Sequence, residues 1–170
     1  MKLTIKKGEH YDDNLFSTWP HIAQKLFKKI VTFDKTCEYV LPVYSQGNVN
    51  KLFGGYFGLF AEHKNSVRFG WRWSFADKKI ELLAYVYDAG KRNWDEQMRF
   101  PVVAQIDLDE TVECSICVMP DSYVFEVKKD GKFVGEPVVV PHDRIPSWGF
   151  TQSLYFGGAE PAPHDMSVFM

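Results

Sequence analysis

The chain has 170 residues, a formal net charge of −2 and a sequence pI near 6.2. Hydrophobic residues make up 45% and aromatic residues 16%, which excludes a disordered chain and favours half-buried β-sheet surfaces. No run of Lys or Arg is longer than two, and no apolar run approaches the ~20 residues that a membrane span requires, so we expect neither a nucleic acid partner nor a membrane span. The N-terminal residues lack the apolar segment of a secretion signal, so cytoplasmic localisation is the default expectation.

The first 30 residues are predicted to form an extension of the main body. An edge strand is expected at Lys2–Lys6. Between Asn14 and Ile30 the spacing of apolar residues, with Thr18 as a cap and Pro20 in the first turn, predicts one short helix. Ile30 also suits the start of a strand.

From Val31 onward, segments with strand character follow one another, separated by turn residues. The Gly-rich segment Phe53–Phe60 suggests a close backbone approach or a bulge. Asp130-Gly131 predicts a tight hairpin turn. The remaining predicted strands are Val31–Phe33, Cys37–Val43, Trp94–Phe100, Thr111–Met119, Ser122–Lys128, Lys132–Val134, Val138–Val140, Thr151–Phe156 and Met166–Phe169.

The central hairpin carries the clearest pattern. Residues 67–75 alternate, with Val67, Phe69, Trp71, Trp73 and Phe75 on one face, and residues 80–87 return as the second strand. The first face is expected to lie in the core, together with Ile116 and Val118 from a later strand. Ten or more short strands with no βαβ alternation predict a single all-β domain over residues 1–170. Its fold class is a two-sheet antiparallel β-sandwich or a closed barrel.

Several motifs add a resemblance. Leu52-Phe-Gly-Gly55, Asn65-Ser-Val-Arg-Phe-Gly-Trp-Arg72, Tyr85-Val-Tyr87 and Tyr155-Phe-Gly-Gly158 with Ala162-Pro-His-Asp-Met166 resemble a family of small bacterial proteins of the Bacteroidetes type. The resemblance implies a concanavalin A-like jelly roll with a concave face, and it carries no activity with it.

A weaker resemblance concerns the segment Gln105–Glu110. It is similar to the catalytic strand of laminarinase-like glycoside hydrolases, and the alignment implies catalytic roles for Asp107 and Glu110. The nucleophile position is occupied by Gln105, whose amide cannot form a glycosyl-enzyme ester. We therefore expect no retaining glycosidase activity.

The opposite face of the central hairpin provides the ligand candidates. Arg68 and Arg72, with Tyr85 and Tyr87, form a polar and aromatic groove if that face is concave, and are merely solvated if it is convex. Aromatic rings suit sugar binding because one edge of the ring can stay wet while its body is dry. Two tryptophans in loop-like contexts, Trp94 and Trp148, are further candidates or else cover the ends of the sandwich.

No cofactor is expected. The three cysteines do not form a disulfide framework, and Cys114 and Cys117 read as buried or half-buried thiols. Asp165 is the one weak candidate for a Ca²⁺ ligand. The alternative is that its carboxylate accepts hydrogen bonds from backbone amides and holds the last strand in place.

Three functions follow from these features. The first is non-catalytic binding of an oligo- or polysaccharide in the manner of a lectin. The second is a glycoside hydrolase-like enzyme that uses Asp107, Asp109 or Glu110. The third is a structural jelly roll of phage or cell-surface type that binds protein subunits, which predicts a large apolar patch.

Overall fold

A computed structural model of the chain describes residues 1–13, 18–143 and 145–170. Within these residues the chain forms two antiparallel sheets, as predicted. A single 3₁₀ turn, Lys35–Cys37, is capped by the Asp34 carboxylate, which accepts a hydrogen bond from the backbone amide of Thr36. Among the described residues, no helix has the length and apolar character needed to cross a membrane.

The first sheet runs in the order β1-β14-β3-β9-β10-β11, with β12 also paired to β10. Its strands are β1 (Lys2–Ile5), β3 (Leu26–Phe33), β9 (Thr111–Val118), β10 (Ser122–Lys129), β11 (Lys132–Phe133), β12 (Val138–Pro141) and β14 (Met166–Phe169). Strand β14 therefore lies between β1 and β3, which joins both ends of the chain in one sheet.

The second sheet runs in the order β2-β13-β4-β5-β6-β7, with β8 also paired to β6. Its strands are β2 (Pro20–Ile22), β4 (Asn50–Phe57), β5 (Ser66–Ser74), β6 (Lys79–Asp88), β7 (Lys91–Arg92), β8 (Val102–Ile106) and β13 (Trp148–Gln152). The predicted central hairpin is the pair β5–β6, which places this hairpin in the middle of the sheet.

The core lies between the sheets and is rich in aromatic rings. Trp71 and Phe69 are fully buried, and Trp73 is 3% exposed, as the alternation predicts. The Trp71 ring packs 5.1 Å from Phe33 of the opposite sheet, measured between ring centroids. Ile116 is buried as predicted.

Several predictions about local structure were wrong. The predicted strand Cys37–Val43 is absent, because its start belongs to the 3₁₀ turn Lys35–Cys37, and Phe75 is 55% exposed because β5 ends at Ser74. No described residue between Thr18 and Ile30 is helical, since β2 and β3 occupy this stretch; residues 14–17 of that predicted helix lie outside the described residues. Residues 26–32 of β3 pair with β9, and this sheet pairing outweighs the local helical pattern. Residues 94–100 are not a strand, and Val118 is half-buried because it ends its strand.

One turn, one bulge and one close backbone approach have the predicted chemistry. Asp130 and Gly131 both have positive φ, of 51° and 76°, as a two-residue hairpin turn requires. In β4 the register with β5 shifts between Lys51 and Phe53, so that Leu52 is an extra residue. A Cβ atom on Gly54 would lie 2.1 Å from the Val67 carbonyl oxygen, so only glycine fits at this close approach.

The loop before the last strand is held in place by Asp165. Its carboxylate accepts hydrogen bonds from the Lys7 backbone amide at 2.9 Å and from Lys6 Nζ at 3.1 Å. These bonds lower the pKa of Asp165, the Lys7 amide contributing most. The predicted structural contact of Asp165 is therefore present, with a lysine and a backbone amide as its donors.

Candidate functional site: a cationic cleft on the outer face of the second sheet

One face of the second sheet is turned away from the core, and we call it the cleft face. On β5 and β6 it carries Arg68, Arg72, Tyr85 and Tyr87, directly opposite the core-facing Phe69 and Trp71. A cavity of about 530 Å³ opens on this face. The structure thus places five of the six predicted ligand candidates around one cavity, since Trp94 also lines it.

Arg68 lies at the floor of the cavity. Its register places it between Gly54 of β4 and Tyr85 of β6, and its guanidinium carbon lies 5.0 Å from the centroid of the Tyr85 ring. The residue is only 5% exposed, yet its Nε has no hydrogen-bond partner. One terminal nitrogen makes a long 3.5 Å contact to the Glu62 carbonyl. Burial lowers the pKa of the Arg68 guanidinium.

Lys51 joins Arg68 because of the bulge in β4. With Leu52 as the extra residue, Lys51 pairs with Gly70 and faces the cleft. Its Nζ lies 4.9 Å from the Tyr85 ring centroid and 5.4 Å from the Tyr155 ring centroid, and it donates a hydrogen bond to the Val49 carbonyl at 3.0 Å. Burial, together with the nearby positive charges of Arg68 and Arg92, lowers the pKa of Lys51 to about 7.

The motif Tyr155-Phe-Gly-Gly158 positions this lysine. The backbones of Lys51 and Tyr155 exchange two hydrogen bonds of 2.8 Å. A Cβ atom on Gly157 would lie 2.6 Å from Lys51 Nζ and 2.3 Å from the Val49 carbonyl oxygen. A glycine at position 157 therefore leaves the space in which the ammonium group lies.

A cluster of rings lines one wall of the cavity. Tyr85 stacks on Phe100 with ring centroids 4.4 Å apart, and burial raises the pKa of Tyr85 to about 12 although Arg68 acts in the opposite direction. Arg92 donates a hydrogen bond to the Tyr87 hydroxyl, and its guanidinium carbon lies 4.5 Å from the Trp94 ring centroid. This wall therefore combines phenol groups with a third cation.

Arg72 differs from these cations because it is paired. Its Nε lies 2.6 Å from a carboxylate oxygen of Glu81, and Gln105 donates a hydrogen bond to the other oxygen at 3.2 Å. By contrast, neither Lys51 nor Arg68 forms an ion pair with any residue that the structure describes. Lys51 and Arg68 thus lack the direct ion pair that Arg72 has, although the Glu62 carboxylate acts on Arg68 through space.

Trp148 lies on the same face but outside the cavity lining. It begins strand β13, whereas the sequence predicted a loop, and it is 43% exposed. Its ring lies 6.5 Å from Phe150, which in turn lies 5.5 Å from Tyr56, measured between centroids. These three residues, which we call the aromatic strip, extend the cleft face across β13 and β4.

The carboxylates singled out by the laminarinase-like segment lie elsewhere. Asp107 accepts a hydrogen bond from Lys79 at 2.8 Å, and Glu110 accepts one from Lys129 at 2.7 Å. Among the described residues that line the cavity, Glu62 is the only carboxylate. Across the described ranges, no group of three His, Cys, Asp or Glu residues is arranged to hold a metal ion.

Sequence reasoning missed Lys51, Tyr155 and Phe100. Strict alternation back from Tyr56 places Lys51 in the core, and only the bulge reverses this. The glycines of residues 53–60 were the available signal for the bulge. Tyr155 and Phe100 come to the cavity from segments outside the named strands, so no periodicity marks them.

No protein-family model matches the chain, and a search of curated proteins gives no match. Several solved structures are similar. The alginate lyase vAL-1 from Chlorella virus has a TM-score of 0.57 at 13% identity, over 98% of this chain and 80% of that one. The alginate lyase AlyC3 has a TM-score of 0.53 at 16% identity, over 98% of this chain and 66% of that one. A Bacillus licheniformis β-glucanase has a TM-score of 0.51 at 11% identity, over 99% of this chain and 74% of that one. These likenesses show the jelly-roll fold.

Proposed function

We propose that the cleft binds an acidic polysaccharide and cleaves it by β-elimination. The observation that carries this proposal is a pair of cations that form no ion pair with any described residue, the buried Arg68 and the half-buried Lys51. Burying an unpaired charge is costly, so a fold that keeps one has a use for it at a binding site. A carboxylate on a sugar supplies the missing anion. The rings of Tyr85, Tyr87 and Trp94 suit the apolar faces of the same sugar.

The similar structures support the same class of ligand. Two of them are described as alginate lyases, and alginate is a polymer of uronic acids. The β-glucanase acts on a neutral polymer, and the fold is compatible with either. The charge of this cleft favours the acidic alternative.

The proposed reaction acts on a uronate unit linked through its O4. A base removes the proton on C5, the electron pair forms a C4=C5 double bond, and the C4–O4 bond breaks. The leaving oxygen takes up a proton, so that the products are a new chain end and an unsaturated uronate. Negative charge develops on the carboxylate during this step, and Arg68 lies where it can stabilise that charge.

Lys51 suits the role of the base. With a pKa of about 7, a substantial fraction of Lys51 is neutral at neutral pH and can accept a proton. Tyr85, whose pKa is raised to about 12, remains protonated at that pH. Tyr85 therefore suits the role of proton donor to the leaving O4.

Non-catalytic binding, the function favoured by the sequence, is the second candidate. One contact favours it: the hydrogen bond from Lys51 Nζ to the Val49 carbonyl holds the lysine as a fixed cation. A glycoside hydrolase finds less support, because such enzymes require two carboxyl groups in one cleft. A structural jelly roll would use a flat apolar patch, whereas this cavity is lined by cations and phenols.

The test is to incubate the protein with polyglucuronate and with alginate and to follow the ultraviolet absorbance of the unsaturated product. We expect Lys51→Met to lower kcat by a factor on the order of 10²–10⁴ with a smaller effect on binding. Arg68→Ala should lose both binding and turnover. Lys28→Met is the matched control, because Lys28 is paired with Glu113 on the first sheet.

The pH profile separates the two candidates. If Lys51 is the base, kcat/KM rises with pH to a plateau, with an apparent pKa near 7 for the free protein. Binding that depends on Arg68 without any absorbance change would establish non-catalytic binding. Binding of neither polymer, or binding that survives Arg68→Ala, would contradict the proposed site.

A further inference from the structure

The cleft face has two halves with different charge. The half on β5, β6 and β7, with Lys51 at its border, holds the unpaired cations. The other half holds the aromatic strip of Tyr56, Phe150 and Trp148, whose rings follow one another at centroid distances of 5.5 and 6.5 Å. Register joins the halves, because Tyr56 lies opposite Ser66, two residues from Arg68.

The aromatic strip has no positive charge of its own. Strands β2 and β13 contain no Lys, Arg, Asp or Glu. Burial raises the pKa of the Tyr56 phenol, and the negative charge of the Glu62 carboxylate adds to the rise. A carboxylate over this strip would therefore meet the like charge of Glu62, and neither β2 nor β13 supplies a cation for it.

We propose that the aromatic strip binds a neutral sugar unit adjacent to the uronate held by Arg68 and Lys51. The ligand is then a heteropolysaccharide in which uronates alternate with neutral sugars, and a polymer of uronates alone is the poorer ligand. This inference rests on the proposed function, since it uses the uronate site as its anchor. It assigns a ligand-binding role to Trp148 and Phe150, with the buried Tyr56 packed against Phe150.

The physical argument combines stacking with repulsion. A pyranose ring presents an apolar C–H face, and an exposed Trp or Phe ring offers a matching surface with little loss of side-chain freedom. Trp148 is 43% exposed, so its ring is accessible to such a face. A second uronate at the same place makes the same stacking contact, but repulsion by Glu62 and the desolvation of its carboxylate weaken its binding.

The experiment compares two tetrasaccharides of equal length by isothermal titration calorimetry. One alternates glucuronate with a neutral hexose, and the other is tetraglucuronate. Titrations at about pH 5 leave only about 1% of Lys51 neutral, so that turnover is slowed about a hundredfold and the products can be checked after each titration. The variants are Trp148→Ala, Phe150→Ala and Trp148→Phe, with Phe133→Ala as the control, because Phe133 is an exposed ring on the first sheet.

We expect the alternating ligand to bind about tenfold more tightly than tetraglucuronate, a difference that one good ring contact supplies. Trp148→Ala and Phe150→Ala should each remove most of this difference, while leaving tetraglucuronate within about twofold. Trp148→Phe should retain much of the preference for the alternating ligand, and Phe133→Ala should change neither affinity. Unchanged melting temperatures of the Trp148 variants would show that the fold is intact.

Two results overturn the inference. If tetraglucuronate binds as tightly as the alternating ligand, or if the ring variants leave both affinities unchanged, the strip does not select a neutral sugar. In that case Arg68→Ala still abolishes binding of both ligands, and the proposed function stands. If neither ligand binds the wild-type protein, the proposed function itself fails and this inference fails with it.

Discussion

The outer faces of the two sheets carry the same kinds of charged residue in opposite arrangements. On the first sheet, Lys28 lies 2.7 Å from Glu113 and Lys128 lies 2.9 Å from Glu126, and all four side chains are at least partly exposed. On the second sheet, Arg68 is buried and forms no ion pair with a described residue, and Lys51 lies in the same cleft. Charge by itself therefore does not mark a binding site in this molecule. Burial without a partner distinguishes the cleft from an ordinary solvated surface.

The energetic reason lies in desolvation. An exposed ion pair keeps most of its hydration and contributes little to stability. A buried cation loses hydration and recovers that free energy only when an anion or a set of acceptors replaces the water. The first sheet thus shows what charges do when stability alone governs their placement. The second sheet retains an unfavourable arrangement that a bound carboxylate would relieve.

The largest stability effect is expected at Arg68. Arg68→Met removes the uncompensated charge while keeping a long apolar stem, so the free energy of unfolding should rise by about 1–3 kcal/mol. Urea titration measures this change. The matched variant Lys128→Met on the first sheet should stay within about 0.5 kcal/mol of the wild type. A loss of stability in Arg68→Met would show that its contacts with Tyr85 and Glu62 outweigh the desolvation cost.

A smaller effect is expected in the pH dependence of stability. The pKa of Lys51 is about 7 in the folded protein, below the ordinary value of 10.5. Between these values the unfolded chain binds a proton that the folded protein does not, so the unfolding free energy rises with pH through this window. Below pH 7 both states hold the proton, and the destabilisation by Lys51 is fully present.

This linkage is measured by urea titrations of the wild type and of Lys51→Met from pH 7 to 10. Tyr and Cys residues titrate in both proteins, so the difference between the two curves isolates Lys51. The unfolding free energy of the wild type minus that of Lys51→Met should increase as the pH rises. Lys28→Met provides the comparison from the first sheet, and its curve should run parallel to that of the wild type. Parallel curves for Lys51→Met as well would mean that its ammonium is well solvated.

The smallest effect is expected for the ion pairs of the first sheet. A double-mutant cycle on Lys28 and Glu113 should give a coupling free energy of about 0.2–1 kcal/mol, which added salt reduces. Sugar binding should be unaffected by either substitution. A coupling energy well above this range would contradict the view that this face is merely solvated.

The sequence by itself determined the parts of the protein that follow local rules. Alternation placed Trp71 and Phe69 in the core and Arg68 and Tyr85 on the opposite face, because successive side chains of a strand alternate between faces. The turn at Asp130-Gly131 followed from backbone preferences. The fold class followed from the number of such segments, and it was confirmed.

Only the tertiary structure decided what depends on neighbours distant in the chain. Strand β3 replaced part of a predicted helix because residues 26–32 pair with β9, which is distant in the chain. Lys51 faces the cleft because a bulge in β4 reverses the alternation, and Gly157, more than 100 positions away, leaves the space for its ammonium group. Whether Arg68 and Arg72 have partners also required the structure, since Arg72 faces Glu81 whereas Arg68 faces Tyr85 and Gly54. Pairing and burial are properties of the assembled sheet, and no local pattern encodes them.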